Sequence, residues 1–321
     1  MESTRPTTVC FIHSCTLPVW GTEILDNMIS YIQSSDLINA LDLIFINNVG
    51  TMIDVNKYSM ITDKIIISNH SSDTNGFENS TLRQMHFFSQ INPKCKILYL
   101  HTKGVSYQRT HESNPFVRDW TNFMLYCLVN KHKECLEMLD YVEAVGCDYY
   151  HNYDDGTNRY PSHFSGNFWW TTSDYIKRLN VYELTNKHDA EFWIFKGDPS
   201  FINIHSSPNK YWLHYIHPYH VSEYADIVSK NVKYIISNLK SHVNILYGTD
   251  GHYLDVTRIC HEKLKINNMI RVPAGDVQRN NLFGDPLVGT VKHIRIGGVK
   301  YHHDEDVIVN VPSRSINSIF K

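Results

Sequence analysis

The chain has 321 residues, 42% of them hydrophobic, and a formal charge of −3 from 30 basic and 33 acidic side chains. That is enough apolar material for one large core or two modest ones, and it excludes a mainly disordered polymer. The near-balanced charge gives no global attraction for nucleic acid or an anionic membrane surface.

Thr8 to His13 is a short β-rich run, and Glu23 to Ser34 carries Ile24, Met28 and Ile32 at helical spacing. Leu41 to Ile46, Lys64 to Ser68 and Lys96 to Leu100 are three more apolar strands, the last reached through a helix predicted around Ser80 to Ser89. Near-continuous apolar strands separated by helices predict an α/β fold with a mostly parallel sheet covered by helices on both faces. Val117 to Leu139 is amphipathic and long enough for two helices, Ala144 to Tyr149 is a further strand, and a helix over Ser173 to Leu179 follows the aromatic-rich stretch His163 to Trp170. A helix over Ala225 to Leu239 closes the first domain, residues 1–241. Beyond it, short β-rich runs at Val243 to Tyr247, Met269 to Val272, Val291 to Ile296 and Val307 to Val311, with a helix near Val256 to Leu264, predict a β-rich accessory domain over 242–321.

Seven scattered cysteines without a Cys-x-x-Cys pair read as reduced core thiols. The first residues lack the layout of a signal peptide, and no apolar run reaches the ~18 residues of a membrane span. Together these predict a cytoplasmic chain with no transmembrane segment.

A parallel sheet binds ligands beyond the carboxyl ends of its strands. Those ends are His13-Ser14, Asn47-Asn48, Asn69-His70 and His101-Thr102-Lys103-Gly104. Where a sugar-nucleotide enzyme commonly keeps an Asp-x-Asp to hold a divalent metal, this chain has His101, Thr102 and Lys103. Lys103 is expected to neutralise a diphosphate directly, with Gly104 letting the backbone approach. The literal Asp304-Glu305-Asp306 lies in the accessory domain and reads as a solvated turn. Asp154 and Asp155, in the loop before the aromatic stretch, are the better-placed metal candidates, with an Asp-Gly turn as the competing reading. Gly166 and Asn167 combine close backbone approach with a donor and an acceptor for sugar hydroxyls, and Trp169 and Trp170 could stack on an acceptor sugar or fill the core. Asp189 and Glu191 stand beside Phe192 and Trp193, where burial would raise a carboxyl toward base duty. His205 and Lys210, five apart in a loop, could close over a diphosphate.

The segments Leu98 to Gly104, His163 to Trp170 and Ala190 to Trp193, in that order, resemble a glycosyltransferase family of GT-A-like fold found in bacterial surface-polysaccharide clusters and large DNA viruses. The His-Thr-Lys segment is also similar to one in rhamnan-synthesis proteins. The resemblance spans roughly residues 7 to 220. It implies transfer of a sugar from a UDP-, GDP- or dTDP-sugar to a glycan or glycoprotein, in the host cytoplasm if the chain is viral. His13, His101, Thr102, Lys103, Gly104, Ser165, Gly166, Asn167, His205 and Lys210 would bind the donor, Trp169 and Trp170 the acceptor, and Glu191 with Asp189 would carry catalysis. Mn2+ or Mg2+ is the cofactor such enzymes use, and the missing Asp-x-Asp departs from that pattern. The rival reading is a catalytically inactive carbohydrate-binding or scaffolding protein on the same fold. A nicotinamide enzyme is disfavoured, because no Gly-x-Gly-x-x-Gly follows the first strand.

Overall fold

The structure is a computed structural model. It describes residues 7–310 apart from 18, 77, 107, 110–111, 151–160, 187, 210, 267–268 and 297–298. The chain divides into two compact units, Met1–Val232 and Lys233–Lys321. The division falls inside a helix, Val228–Val243, whereas the change in residue pattern that set the sequence boundary at 241 comes at that helix's end.

The first unit is a mixed α/β body built on seven strands. They are β1 (Thr8–Cys15), β2 (Leu43–Val49), β3 (Ile65–Ser71), β4 (Lys96–His101), β5 (Ala144–Gly146), β6 (Trp169–Thr172) and β7 (Phe201–Asn203). Their order is β3-β2-β1-β4-β6-β5-β7, and only β6 runs against the rest. Strand β1 is buried along almost its whole length, as expected of a central strand covered on both faces. Phe11, Phe45 and Phe88 form a ring cluster with centroids 4.8 to 5.6 Å apart, joining β1 and β2 to helix α2 (Asn79–Ile91). Helix α1 (Val19–Ser34) buries Ile24, Leu25, Met28, Ile29 and Ile32, the face its helical spacing marks out.

The amphipathic stretch after β4 is helix α3 (Pro115–Leu125), a π-helical turn (Tyr126–Asn130) and a short helix (His132–Met138). Asn114 caps α3 by accepting from the Phe116 N–H, and Pro115 takes the first helical position, where its missing N–H costs nothing. A π turn loosens the regular carbonyl ladder. The Leu128 carbonyl within it accepts from the Trp170 indole at 2.8 Å, pinning the helix to the sheet.

Close approach also fixes one glycine. A Cβ at Gly146, in β5, would stand 2.4 to 2.5 Å from ring carbons of the buried Phe164. Gly146→Ala should therefore destabilise the unit by about 2 kcal/mol or more, read from the urea midpoint at unchanged m-value.

The second unit holds two antiparallel sheets. Strands β8 (Ile245–Thr249), β9 (His252–Asp255), β12 (His293–Ile296) and β13 (Val299–Tyr301) order as β9-β8-β12-β13. Strands β10 (Lys265–Ile266), β11 (Met269–Val272) and β14 (Val307–Asn310) order as β10-β11-β14. Two helices, Thr257–Lys263 and Asp276–Phe283, accompany them; the second and strand β9 are polar enough to have escaped sequence reading. Its core gathers Ile245, Tyr247, Cys260, Ile270, Phe283 and Ile294. Arg279, fully buried, donates to the carbonyls of Pro273, His302 and Glu305 at 2.7, 3.3 and 2.7 Å, so its charge is met by backbone. Asp304-Glu305-Asp306 is the turn before β14, its acids held by His302, Arg271 and the Ala274 N–H.

All seven cysteines are free thiols and six are buried. Among the described residues, no helix is long and apolar enough to cross a membrane.

Candidate functional site

The chain leaves β1 for β2 and β3 on one side, then returns to place β4 on the other side of β1. Such a reversal marks the carboxyl ends of β1 and β4 as the place where an open α/β sheet accepts ligands, and the crevice beside them that Lys103 reaches is lined by Glu23, Ile24 and Asn27 of α1 and by Arg118, Thr121 and Asn122 of α3. His13 and His101 stand opposite one another at those strand ends, in register. The two ends are sewn together by Thr102, whose N–H donates to the His13 carbonyl at 2.9 Å and whose hydroxyl accepts from the Cys15 N–H at 2.8 Å. Thr102, expected to help bind the donor, is thus a buried stitch between the two strand ends.

His101 is held at both ring nitrogens. Nδ1 lies 2.8 Å from the Glu78 carboxylate and Nε2 lies 2.9 Å from the Gly166 carbonyl. Both partners are acceptors, so each can take a hydrogen bond from the ring. Burial would push the Glu78 carboxyl up, but the ion pair with His101, helped by His13 and Lys103, holds it down at about 2. Glu78 also precedes the first turn of α2, where a helix favours negative charge. His13 is buried, with Nδ1 2.9 Å from the Thr81 hydroxyl; burial, reinforced by His101 and opposed by Glu78, pushes it down to about 4.

Lys103 follows. Its Nζ sits 4.5 Å from the centroid of the Trp120 ring and 3.9 Å from Glu191 Oε1, with its side chain only 8% exposed. A cation over an indole face is attracted by the ring's electrons, and among the described residues no side-chain or backbone acceptor closer than the Glu191 carboxylate takes the ammonium's donors. Gly104 has φ +93°, and a Cβ there would come within 2.7 Å of Val117. Glu191 is 37% exposed on the short helix Asp189–Trp193. Asp189 on the same helix has another job: one of its oxygens accepts from the N–H groups of Thr185 and Asn186 and from the Thr185 hydroxyl. Against the desolvation that would raise it, those bonds hold its carboxyl below the usual range, which corrects the expectation of base duty.

The aromatic stretch splits by depth. Gly166, at φ +91°, leaves no room for a Cβ, which would fall 2.3 Å from Met124 Sδ, and its carbonyl serves His101. Asn167 adopts φ +60° and gives its side-chain oxygen to the Trp169 indole at 2.8 Å, while its buried Nδ2 has no partner among the described residues. Trp169 and Trp170 lie fully buried in β6, both indole N–H groups bonded within the protein. They are core residues, and stacking on an acceptor is corrected accordingly. His205 is likewise turned inward, its Nε2 2.8 Å from buried Glu223 and its Nδ1 3.3 Å from Asn231; closing over a diphosphate does not fit that arrangement. Lys210, Asp154 and Asp155 lie outside the described residues.

Sequence reading missed a second cluster beyond the ends of β5 and β7. Asp148, at φ +51°, accepts from the Ser207 N–H at 2.6 Å and from the Tyr219 hydroxyl at 2.8 Å. The Tyr219 oxygen lies 2.8 Å from His214 Nδ1, and His214 Nε2 lies 3.4 Å from the Ser165 hydroxyl. His214 stacks on Trp120, centroids 4.3 Å apart and planes 11° from parallel. Desolvation dominates here: it pushes Asp148 up to about 6, and it pushes His214, with Lys103 adding, down to about 4. A pocket beside this cluster is lined by Asp148, Tyr150, Ser165, Ser206, Asn209 and His214.

These shifts set the acid stability. His13 and His214 take up protons in the unfolded chain near pH 6.5 but in the fold only near pH 4, so stability is complete above 6.5 and is lost as pH falls through that window. Asp148 runs the other way, its folded carboxyl gaining a proton near pH 6 rather than its ordinary 3.8. With each histidine contributing a loss of about 3 kcal/mol and Asp148 returning about the same, these three groups lower the first unit's unfolding free energy by roughly 3 kcal/mol between pH 6.5 and 4, and His86, His132 and His163, held down by burial as well, deepen the loss. Urea titrations across that range check it, and a flat profile would contradict the buried neutral state of the two imidazoles.

A family profile described as a domain of unknown function (DUF8361) matches residues 22–206, and the chain belongs to that family. No curated protein matches the chain. The family's matched region contains Glu78, His101, Lys103, Trp120, Asp148, Ser165 and Glu191, while His214 and Tyr219 lie just beyond it.

Proposed function

We propose that the chain is a nucleotide-sugar-dependent glycosyltransferase of GT-A-like fold, moving a sugar from a nucleotide diphosphate donor to a glycan or glycoprotein acceptor. The observation that carries this reading is Lys103, a nearly buried ammonium just beyond the end of β4 that lines the crevice between α1 and α3 and, among the described residues, has only the half-exposed Glu191 as an ion-pair partner. A diphosphate leaving group develops negative charge as its bond to the sugar breaks, and a fixed cation in a desolvated crevice stabilises that charge. Glu191 is positioned to accept hydrogen bonds from hydroxyls of the transferred sugar. The three segments that resemble glycosyltransferases converge here: Lys103, Gly166 and Glu191 come from one each.

The divalent metal used by such enzymes does not fit the β4 end. His101 has both ring nitrogens committed to acceptors, Thr102 is a stitch and Lys103 brings a positive charge of its own. Among the described residues the only cluster of three potential ligands is His302, His303 and Asp304, in the second unit. At the β4 end, donor activation is therefore assigned to Lys103.

A panel of UDP-, GDP- and dTDP-sugars, examined by calorimetry and by nucleotide release with and without Mn2+ or Mg2+, tests the reading. At least one donor should bind and turn over. Failure to bind every donor would overturn it, and glycan binding without donor turnover would favour a carbohydrate-binding protein on the same fold.

A further inference from the structure

With Asp148 ionised, as it is at pH 7, the cluster beyond β5 and β7 has a direction. Tyr219 has one hydroxyl proton, and it points to the Asp148 carboxylate at 2.8 Å. Toward His214 its oxygen can then only accept, so the proton of that ring sits on Nδ1, 2.8 Å away. Nε2 is left as a bare lone pair, and the group facing it at 3.4 Å is the Ser165 hydroxyl. The chain of donors thus runs from Ser165 through His214 and Tyr219 to Asp148, whose other oxygen is anchored by the Ser207 N–H. Its mouth is a partly exposed serine on the wall of a pocket, and the three side chains behind it are buried. The mouth also adjoins the donor crevice. Ser165 is the neighbour of Gly166, whose carbonyl holds His101, and His214 stacks on the same indole that carries Lys103.

We propose that Ser165, His214, Tyr219 and Asp148 form a proton relay that removes the proton from the attacking hydroxyl of a carbohydrate acceptor bound in this pocket, with His214 Nε2 as the accepting atom. This rests on the transferase reading and assigns to His214 the base duty that the sequence placed on Glu191 and Asp189. The acceptor hydroxyl gives its proton to Ser165 Oγ while the Ser165 proton moves to His214 Nε2. The acceptor oxygen bonds to the anomeric carbon of the donor, and the bond from that carbon to the diphosphate oxygen breaks with its electron pair leaving on the diphosphate. The Nδ1 proton can pass to Tyr219 as the tyrosine proton passes to Asp148, so the relay ends with a neutral imidazole and a protonated carboxyl. Asp148, held up to about 6 by burial, suits that final position.

The test uses the full chain with a donor that supports turnover. His214→Ala should lower kcat by about 100-fold or more while the donor dissociation constant stays within threefold. Tyr219→Phe, which keeps the ring packed on Phe123, should lower kcat as well and shift the His214 tautomer. Nitrogen-15 spectra of the wild-type imidazoles at pH 7 should show His214 protonated on Nδ1 only. Turnover that is unchanged in a folded His214→Ala or in Tyr219→Phe, or a proton found on Nε2, would overturn the assignment and leave the transferase reading standing. Absence of turnover with every nucleotide sugar would remove both together.

Discussion

On the proposed transferase reading, Lys103→Met is expected to leave a folded protein that no longer turns over a nucleotide sugar at a useful rate. Methionine keeps an unbranched stem of similar length against Trp120 and removes only the charge. The ammonium's sole ion-pair partner among the described residues is Glu191 at 3.9 Å, a weak pairing that contributes little to stability. Removing an almost buried cation relieves a desolvation cost, so the melting temperature should hold or rise. Catalysis should behave oppositely. Loss of a preorganised charge at a developing anion commonly costs about 100- to 1,000-fold in kcat, or roughly 3 to 4 kcal/mol. Steady-state kinetics beside a melting curve separate the two effects. A variant retaining kcat/KM within threefold of the parent would remove Lys103 from the donor site.

The largest stability effect should come from Glu78→Ala. Both ring nitrogens of buried His101 face acceptors, and one of them is this carboxylate. Without it, Nδ1 of a buried imidazole loses its partner and the Gly166 carbonyl remains the ring's one hydrogen-bond contact among the described residues. Breaking a buried pair in this way costs about 3 to 5 kcal/mol. For a unit of this size that is a fall in melting temperature of roughly 10 °C. Glu78→Gln should recover part of the loss, since its amide oxygen still accepts from Nδ1. Chemical denaturation of the three proteins side by side checks the order, and an alanine variant within 1 kcal/mol of wild type would show that the pair holds nothing together.

How much of this could be read from the residues depended on whether the signal was local. Strands β1 to β4 announced themselves because four consecutive apolar runs, separated by helical spacing, leave few arrangements other than a covered parallel sheet. The antiparallel course of β6 did not, because Trp169-Trp170-Thr171-Thr172 reads the same in either direction. Lys103 was legible from its place at a strand end. Glu78 was not, since a lone acid before a helix is commonplace and its meaning comes from His101, which is distant in sequence and close in space. The same holds for Asp148, His214 and Tyr219, which meet only when loops after different strands converge. Polar residues such as Thr102, Asn167 and His205 misled in the opposite sense. Their types suit a ligand, but each also suits the buried backbone and side-chain groups that the fold turned toward it.

Trp120 has a consequence that reaches past its own contacts. One of its neighbours is the ammonium of the donor crevice and another is the imidazole of the second pocket. Sharing a side chain in this way predicts that the two pockets are thermodynamically coupled. A double-mutant cycle between Lys103→Met and His214→Ala should accordingly return a coupling energy, and replacing Trp120 with leucine should reduce it toward additivity.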